Sequence, residues 1–193
     1  MRFRAILCAL VLCVVTAPAA SATVTLVGGD SVIVGGKRCV IGFNARTGSG
    51  ARVIITTGAC AGTSGPIGII PAPPDSVSTP LVRVGSGTTT VHGATEAAIG
   101  SSVCAYGPAS GWRCGTVQAR NQTVNYPTGT ITGLTRTTLC VEPGDAGGPV
   151  LSGNGQAQGI LIGGSGNCRT GGVGYFAPVR PALSAYGLIL YTG

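Results

Sequence analysis

Gly144-Asp145-Ala146-Gly147-Gly148-Pro149 places three glycines and a proline around a single acid. By composition alone this hexapeptide marks a tight loop. Glycine reaches positive φ without strain, and proline cannot donate to a strand ladder. Its surroundings say more. Cys140 stands just before it and Cys168 beyond it, and the short apolar segments Pro149–Leu151 and Ala157–Ile162 follow it. Short apolar runs between turn residues are the pattern of small strands.

The same alternation extends through the chain. Further candidate strands are Cys39–Asn44, Arg52–Thr57, Leu81–Val84, Thr88–His92, Ile99–Cys104, Gly115–Asn121, Thr128–Thr132 and Gly174–Ala177. Many short strands with Gly-rich turns predict an all-β barrel or sandwich. Only Val179–Tyr186 reads as a helix, with Gly187 as its C-terminal cap. Pro71-Ala72-Pro73-Pro74 reads as a stiff loop that separates hairpins in the first half.

Residues 1–22 read as a secretory signal. Arg2 and Arg4 precede an apolar run from Ala5 to Val15, and Ala20-Ser21-Ala22 has the Ala-x-Ala form of a cleavage site. The apolar run is much shorter than the ~20 residues of a membrane span. No membrane partner is expected, and the product is expected outside the cell. Of the 12 basic residues, ten remain without Arg2 and Arg4, against 5 acidic residues, a net of about +5. No basic run or helical stripe gathers these charges, so nucleic acid is not an expected partner.

Eight cysteines occur, and Cys8 and Cys13 fall in the signal. The remaining six imply three disulfides in a secreted chain, with fifteen possible pairings. A metal site is not expected: no Cys-x-x-Cys occurs and His92 is the only histidine. Nothing calls for a cofactor.

With these surroundings, the hexapeptide resembles the Gly-Asp-Ser-Gly-Gly-Pro signature of chymotrypsin-like serine proteases. Other motifs resemble the bacterial streptogrisin and alpha-lytic protease group. They are Val27-Gly28-Gly29, Cys39 with Gly42-Phe43-Asn44, Ala94-Thr95-Glu96-Ala97-Ala98-Ile99-Gly100, Cys140-Val141-Glu142-Pro143, Gly163-Gly164-Ser165-Gly166-Asn167-Cys168, and Leu183-Ser184-Ala185-Tyr186-Gly187. The likeness covers nearly all of residues 23–193 and is weakest between Ala61 and Val91. It implies a chymotrypsin-like double β-barrel with a short C-terminal helix, divided roughly into 23–97 and 98–193. The short interval after Cys60 leaves room for a reduced N-terminal barrel. The resemblance also selects the pairs Cys39–Cys60, Cys104–Cys114 and Cys140–Cys168.

It implies a missing reaction centre as well. This chemistry needs a nucleophilic hydroxyl, an imidazole to carry its proton, and a carboxylate to orient the imidazole. The position matching the serine is Ala146. The position matching the histidine is Ala59, in Thr56-Thr57-Gly58-Ala59-Cys60. Asp75 is the one carboxylate in the interval where the family carries its acid, and is either a vestige of it or a solvated turn residue. The family's serine beside that acid matches Ile162. His92 matches a surface-strand position.

Some features of a cleft are retained. Gly144 and Ala146 match the backbone donors of the oxyanion hole. Ile162-Gly163-Gly164 matches the strand edge that pairs with a bound peptide. Asp145 matches a buried acid that pairs with a cation. The usual arginine position is Ala105, so either Arg113 substitutes or the loop is rearranged. The expectation is a secreted non-catalytic homologue, not an enzyme, binding an extended peptide, protein or inhibitor. The alternatives are a structural or cell-surface protein that kept only the fold, and a hydrolase using other acids such as Asp75, Glu96 or Glu142.

Overall fold

A computed structural model of the protein describes residues 23–193. The signal at 1–22 lies outside the described residues. In chain order the first half holds β1 (Val24–Gly28), β2 (Ser31–Val34), β3 (Lys37–Val40), β4 (Phe43–Thr47), β5 (Arg52–Thr57), α1 (Gly58–Ala61), β6 (Ile67–Pro71), β7 (Ser76–Val84) and β8 (Gly87–Thr90). The second half holds β9 (Ser102–Gly107), β10 (Gly111–Tyr126), β11 (Gly129–Thr137), β12 (Pro149–Ser152), β13 (Ala157–Asn167), β14 (Gly171–Pro178), α2 (Val179–Tyr186) and β15 (Leu188–Leu190).

The second half closes a six-stranded barrel in the order β10-β11-β14-β13-β12-β9. β9 and β10 close the ring, with Cys104 opposite Cys114. The first half is arranged as sheets β15-β4-β5-β6, β1-β7-β8 and β2-β3. β15 returns from the far end of the chain to pair with β4, Leu190 opposite Ala45. The run Ala94–Gly100 forms no strand. It is pinned as a connector by buried Gln158, whose Oε1 accepts from the Ala97 N–H at 2.8 Å and whose Nε2 donates to the Thr95 carbonyl at 2.8 Å.

One apolar cluster joins the halves. Phe43, Ile55 and Val82 from the first pack with Leu134, Leu151 and Ile160 from the second. Burying a side chain of this size contributes roughly 1.5–3 kcal/mol. The halves come close together at Gly42, where a Cβ would lie 2.2 Å from Ile160 Cδ1 and 2.7 Å from the Ile55 carbonyl. No side chain fits there.

All three disulfides occur with the expected pairings. α2 occupies the expected residues and ends at Gly187 in the left-handed region, φ 58°. Several boundaries differ from expectation. Cys39–Asn44 is not one strand but breaks at Ile41–Gly42, where the Gly42 N–H turns to the Ile55 carbonyl at 2.9 Å. Ile99 precedes a turn, and β9 starts only at Ser102. The end helix is not the only one: α1 is a single turn started by Thr57, whose side chain accepts from the Cys60 N–H. Four residues are too few for a helical period to register in sequence.

Candidate functional site

The loop between β11 and β12 carries Gly144, Asp145 and Ala146, and α1 carries Ala59. The two alanines line one cavity of about 420 Å³, together with Gly144, Ser31, Lys37 and Arg38. Ala59, Gly144 and Ala146 are exposed to it. No carboxylate or imidazole lines this cavity. Lys37 Nζ donates to the Ala59 carbonyl at 2.8 Å, tying the β2–β3 hairpin to α1.

The loop is shaped by backbone bonds to β13. The Gly147 N–H donates to the Leu161 carbonyl at 2.8 Å, and the Leu161 N–H donates to the Gly148 carbonyl at 2.8 Å. Gly144 and Gly147 hold φ of 105° and 99°, values that a side chain would strain. Two N–H groups are left over. Neither Gly144 nor Ala146 donates to any group of the described residues.

Asp145 is fully buried. No cation meets it. Its Oδ1 accepts from the Ala109 N–H at 2.9 Å and the Ser110 N–H at 3.1 Å, and its Oδ2 accepts from the Glu142 N–H at 2.8 Å. Backbone donors do the work that the resemblance assigned to a cation. Arg113 does not substitute. Its Nε donates to the Ser110 carbonyl at 2.9 Å, so it only braces the turn that presents Ser110. Of the two alternatives, the rearranged loop is the one present: a short turn at residues 107–110 brings two main-chain donors to the acid, and Ala105 lies buried in the barrel opposite Arg113.

Asp75 is not brought to the alanines. Arg52, at the start of β5, holds the turn before it by donating to the carbonyls of Pro73 and Pro74. Ala59 follows the other end of β5. Arg52 and Thr57 are separated by five strand steps, on the order of 16 Å. Asp75 is exposed there, as a turn residue. Glu96 is paired with Arg120 and Glu142 Oε1 accepts from the Cys168 N–H at 2.7 Å, so these acids are placed in separate structural roles. His92 is exposed, its Nδ1 2.8 Å from the Gly193 carbonyl oxygen.

Ile162 is the extra residue of a bulge: Leu161 pairs with Phe176 and Gly163 with Tyr175. A bulge re-aims a strand. Beyond Ile160 no strand pairs with the second edge of β13, so Ile162, Gly163 and Gly164 present an open edge beside the Ala146 loop. Ile162 itself is half-buried against the shared apolar cluster.

Tyr126, at the end of β10, was not legible as a site residue. A Cβ on Gly163 would lie 3.2 Å from its Cε1, so its ring covers one face of that edge. The Tyr126 hydroxyl is buried with no partner among the described residues. Burial, with Tyr175 adding to it, pushes the phenol above its ordinary value of 10.0. The pairing of β10 with β11 seats it, and that register does not show in local sequence.

Comparison with known proteins agrees with this fold. The family described as Trypsin matches residues 70–185. The chain is 43% identical over 187 residues to Streptogrisin-C of Streptomyces griseus, covering 86% of this chain and 41% of that protein. It is 38% identical to Serine protease 2 of Streptomyces fradiae, covering 76% of this chain and 99% of that one. The chain thus spans about half the length of several curated relatives and nearly all of another. The crystal structure of Thermobifida fusca Protease A superposes with a TM-score of 0.81 at 46% identity, covering 88% of this chain and all of that one. The Nocardiopsis protease does so with a TM-score of 0.81 at 41% identity, covering 87% and 100%. With its closed second barrel, shared core and three disulfides, the chain has the chymotrypsin-like fold and belongs to the trypsin family, among its bacterial members.

Proposed function

We propose that the protein is a secreted, non-catalytic member of its family that binds an extended peptide or protein segment without cutting it. The observation that carries this reading is the shared cavity of Ala59 and Ala146. Both alanines line it, and no imidazole or carboxylate does. A methyl group neither attacks a carbonyl nor carries a proton, and both steps are required for this hydrolysis. The parts that bind a backbone are retained. The open edge at Ile162–Gly164 suits strand addition, in which main-chain hydrogen bonds supply affinity. Three disulfides and the Arg2-to-Ala22 leader motif support secretion.

The test is paired. Purified protein is incubated with peptide and ester substrates and with a fluorophosphonate probe, and separately titrated by calorimetry with extended peptides. The expected result is no turnover and no labelling, with measurable binding heat. Turnover that a change at residue 146 abolishes would overturn the non-catalytic reading. Absence of heat with every peptide would overturn the binding reading.

A further inference from the structure

We propose that the cleft recognises the free terminal carboxylate of a peptide, so that its ligand is a peptide chain end and not the interior of a chain. This rests on the peptide-binding reading above and names the ligand class for that site. Three observations lead to it.

Gly144 and Ala146 flank Asp145 in the loop, both are exposed residues, and neither N–H donates to anything among the described residues. Unused donors of this kind form a concavity for an oxygen anion. Two cations, Lys37 and Arg38, line the same cavity and are exposed to solvent. Lys37 spends one bond on the Ala59 carbonyl, and an ammonium group has three donors. No acid competes with an incoming anion. The one carboxylate in the loop, Asp145, is buried with both oxygens already accepting main-chain bonds.

An internal peptide carbonyl brings one neutral oxygen to such a site. A terminal carboxylate brings two oxygens and a full charge. One oxygen can take the Gly144 and Ala146 N–H pair while the other faces the basic side of the cavity. Charge-assisted bonds are roughly twice as strong as neutral ones. The Ala146 methyl places nothing reactive in the way. A strand added antiparallel to β13 along Gly164, Gly163 and Ile162 would bring its C-terminal end to the Ala146 loop, because Leu161, next to Ile162, is bonded to Gly147 and Gly148.

The experiment uses two random libraries of N-acetylated pentapeptides, one with free acids and one with C-terminal amides, passed over immobilised protein at low salt. Retained peptides are quantified by mass spectrometry. Free acids are expected to be retained at least tenfold over amides. That preference is expected to collapse toward unity in Lys37→Met/Arg38→Met, and a variant that kept the tenfold preference would overturn the role given to the two cations. Equal retention of acids and amides by the unaltered protein would overturn the carboxylate proposal and leave peptide binding standing. Retention of neither would overturn both. Sodium acetate displacing the acids as effectively as a pentapeptide acid would show a general anion site and overturn the chain-end assignment.

Discussion

The Cα of Gly107 abuts the carboxylate of Asp145 so closely that a Cβ there would lie 2.2 Å from both Cγ and Oδ1. Gly107 ends β9, and Asp145 lies in the loop 38 residues later, so a missing side chain in one element makes the chamber for a buried acid in another. The contact is against a side chain pinned by three hydrogen bonds, which cannot swing aside. Gly107→Ala is expected to destabilise the protein by about 1–3 kcal/mol, as overpacking does. Urea denaturation would check this, and an unchanged midpoint would contradict it.

Asp145 organises the loop through acceptors, so its replacements should differ in order. Asp145→Ala leaves three N–H groups without their acceptor, at a cost of roughly 1–3 kcal/mol for each that stays buried. Asp145→Asn keeps an oxygen for Ala109 and Ser110 but turns an amide donor toward the Glu142 N–H. The expected order of stability is Asp, then Asn, then Ala, read from denaturant midpoints. Peptide affinity should fall in the same order, because Gly144 and Ala146 flank this residue.

Placing a histidine and a serine at the two alanines is not expected to give an efficient protease. In Ala59→His/Ala146→Ser both groups would face the same cavity, yet no carboxylate lines it to hold the imidazole. Loss of that acid costs about 10⁴-fold in enzymes of this type. Turnover of a peptide ester by the double variant should lie at least ~10³-fold below that of Thermobifida fusca Protease A. Activity within tenfold of it would mean that another group orients the histidine.

Tyr126 makes an alkaline prediction. Its phenol is pushed above 10.0 in the folded chain, chiefly by burial. Below pH 10 both states hold the proton, and this residue gives no pH dependence. Above it the unfolded chain ionises first and binds fewer protons than the folded one, so stability falls as pH rises, by at most ~1.4 kcal/mol per pH unit. Tyr126→Phe removes that loss and also removes a buried hydroxyl without a partner. Comparing denaturation of the two proteins between about pH 8 and pH 11 should show a gap that widens above pH 10. A constant gap would contradict it.

Much of this protein is local, and local features are what a sequence carries. Short apolar runs announced most strands of the second half, Gly187 announced the end of α2, and the spacing of motifs around Cys39, Cys104 and Cys140 announced the disulfides through family likeness. The alanines at 59 and 146 were legible because each sits inside a recognisable motif. What tertiary structure decided is whatever depends on distance between remote segments. The sequence leaves Asp75 open between a triad vestige and a solvated turn residue, and only the fold puts the length of β5 between the turn before it and Ala59. The sequence leaves the partner of Asp145 open between Arg113 and a rearranged loop, and the turn at residues 107–110 supplies main-chain donors, which every residue but proline possesses and which no side-chain pattern reveals. Tyr126 reached Gly163 only through the register of β10 against β11. Side-chain chemistry is written in the residue letters, while donors, edges and clearances of the backbone exist only once the chain is folded.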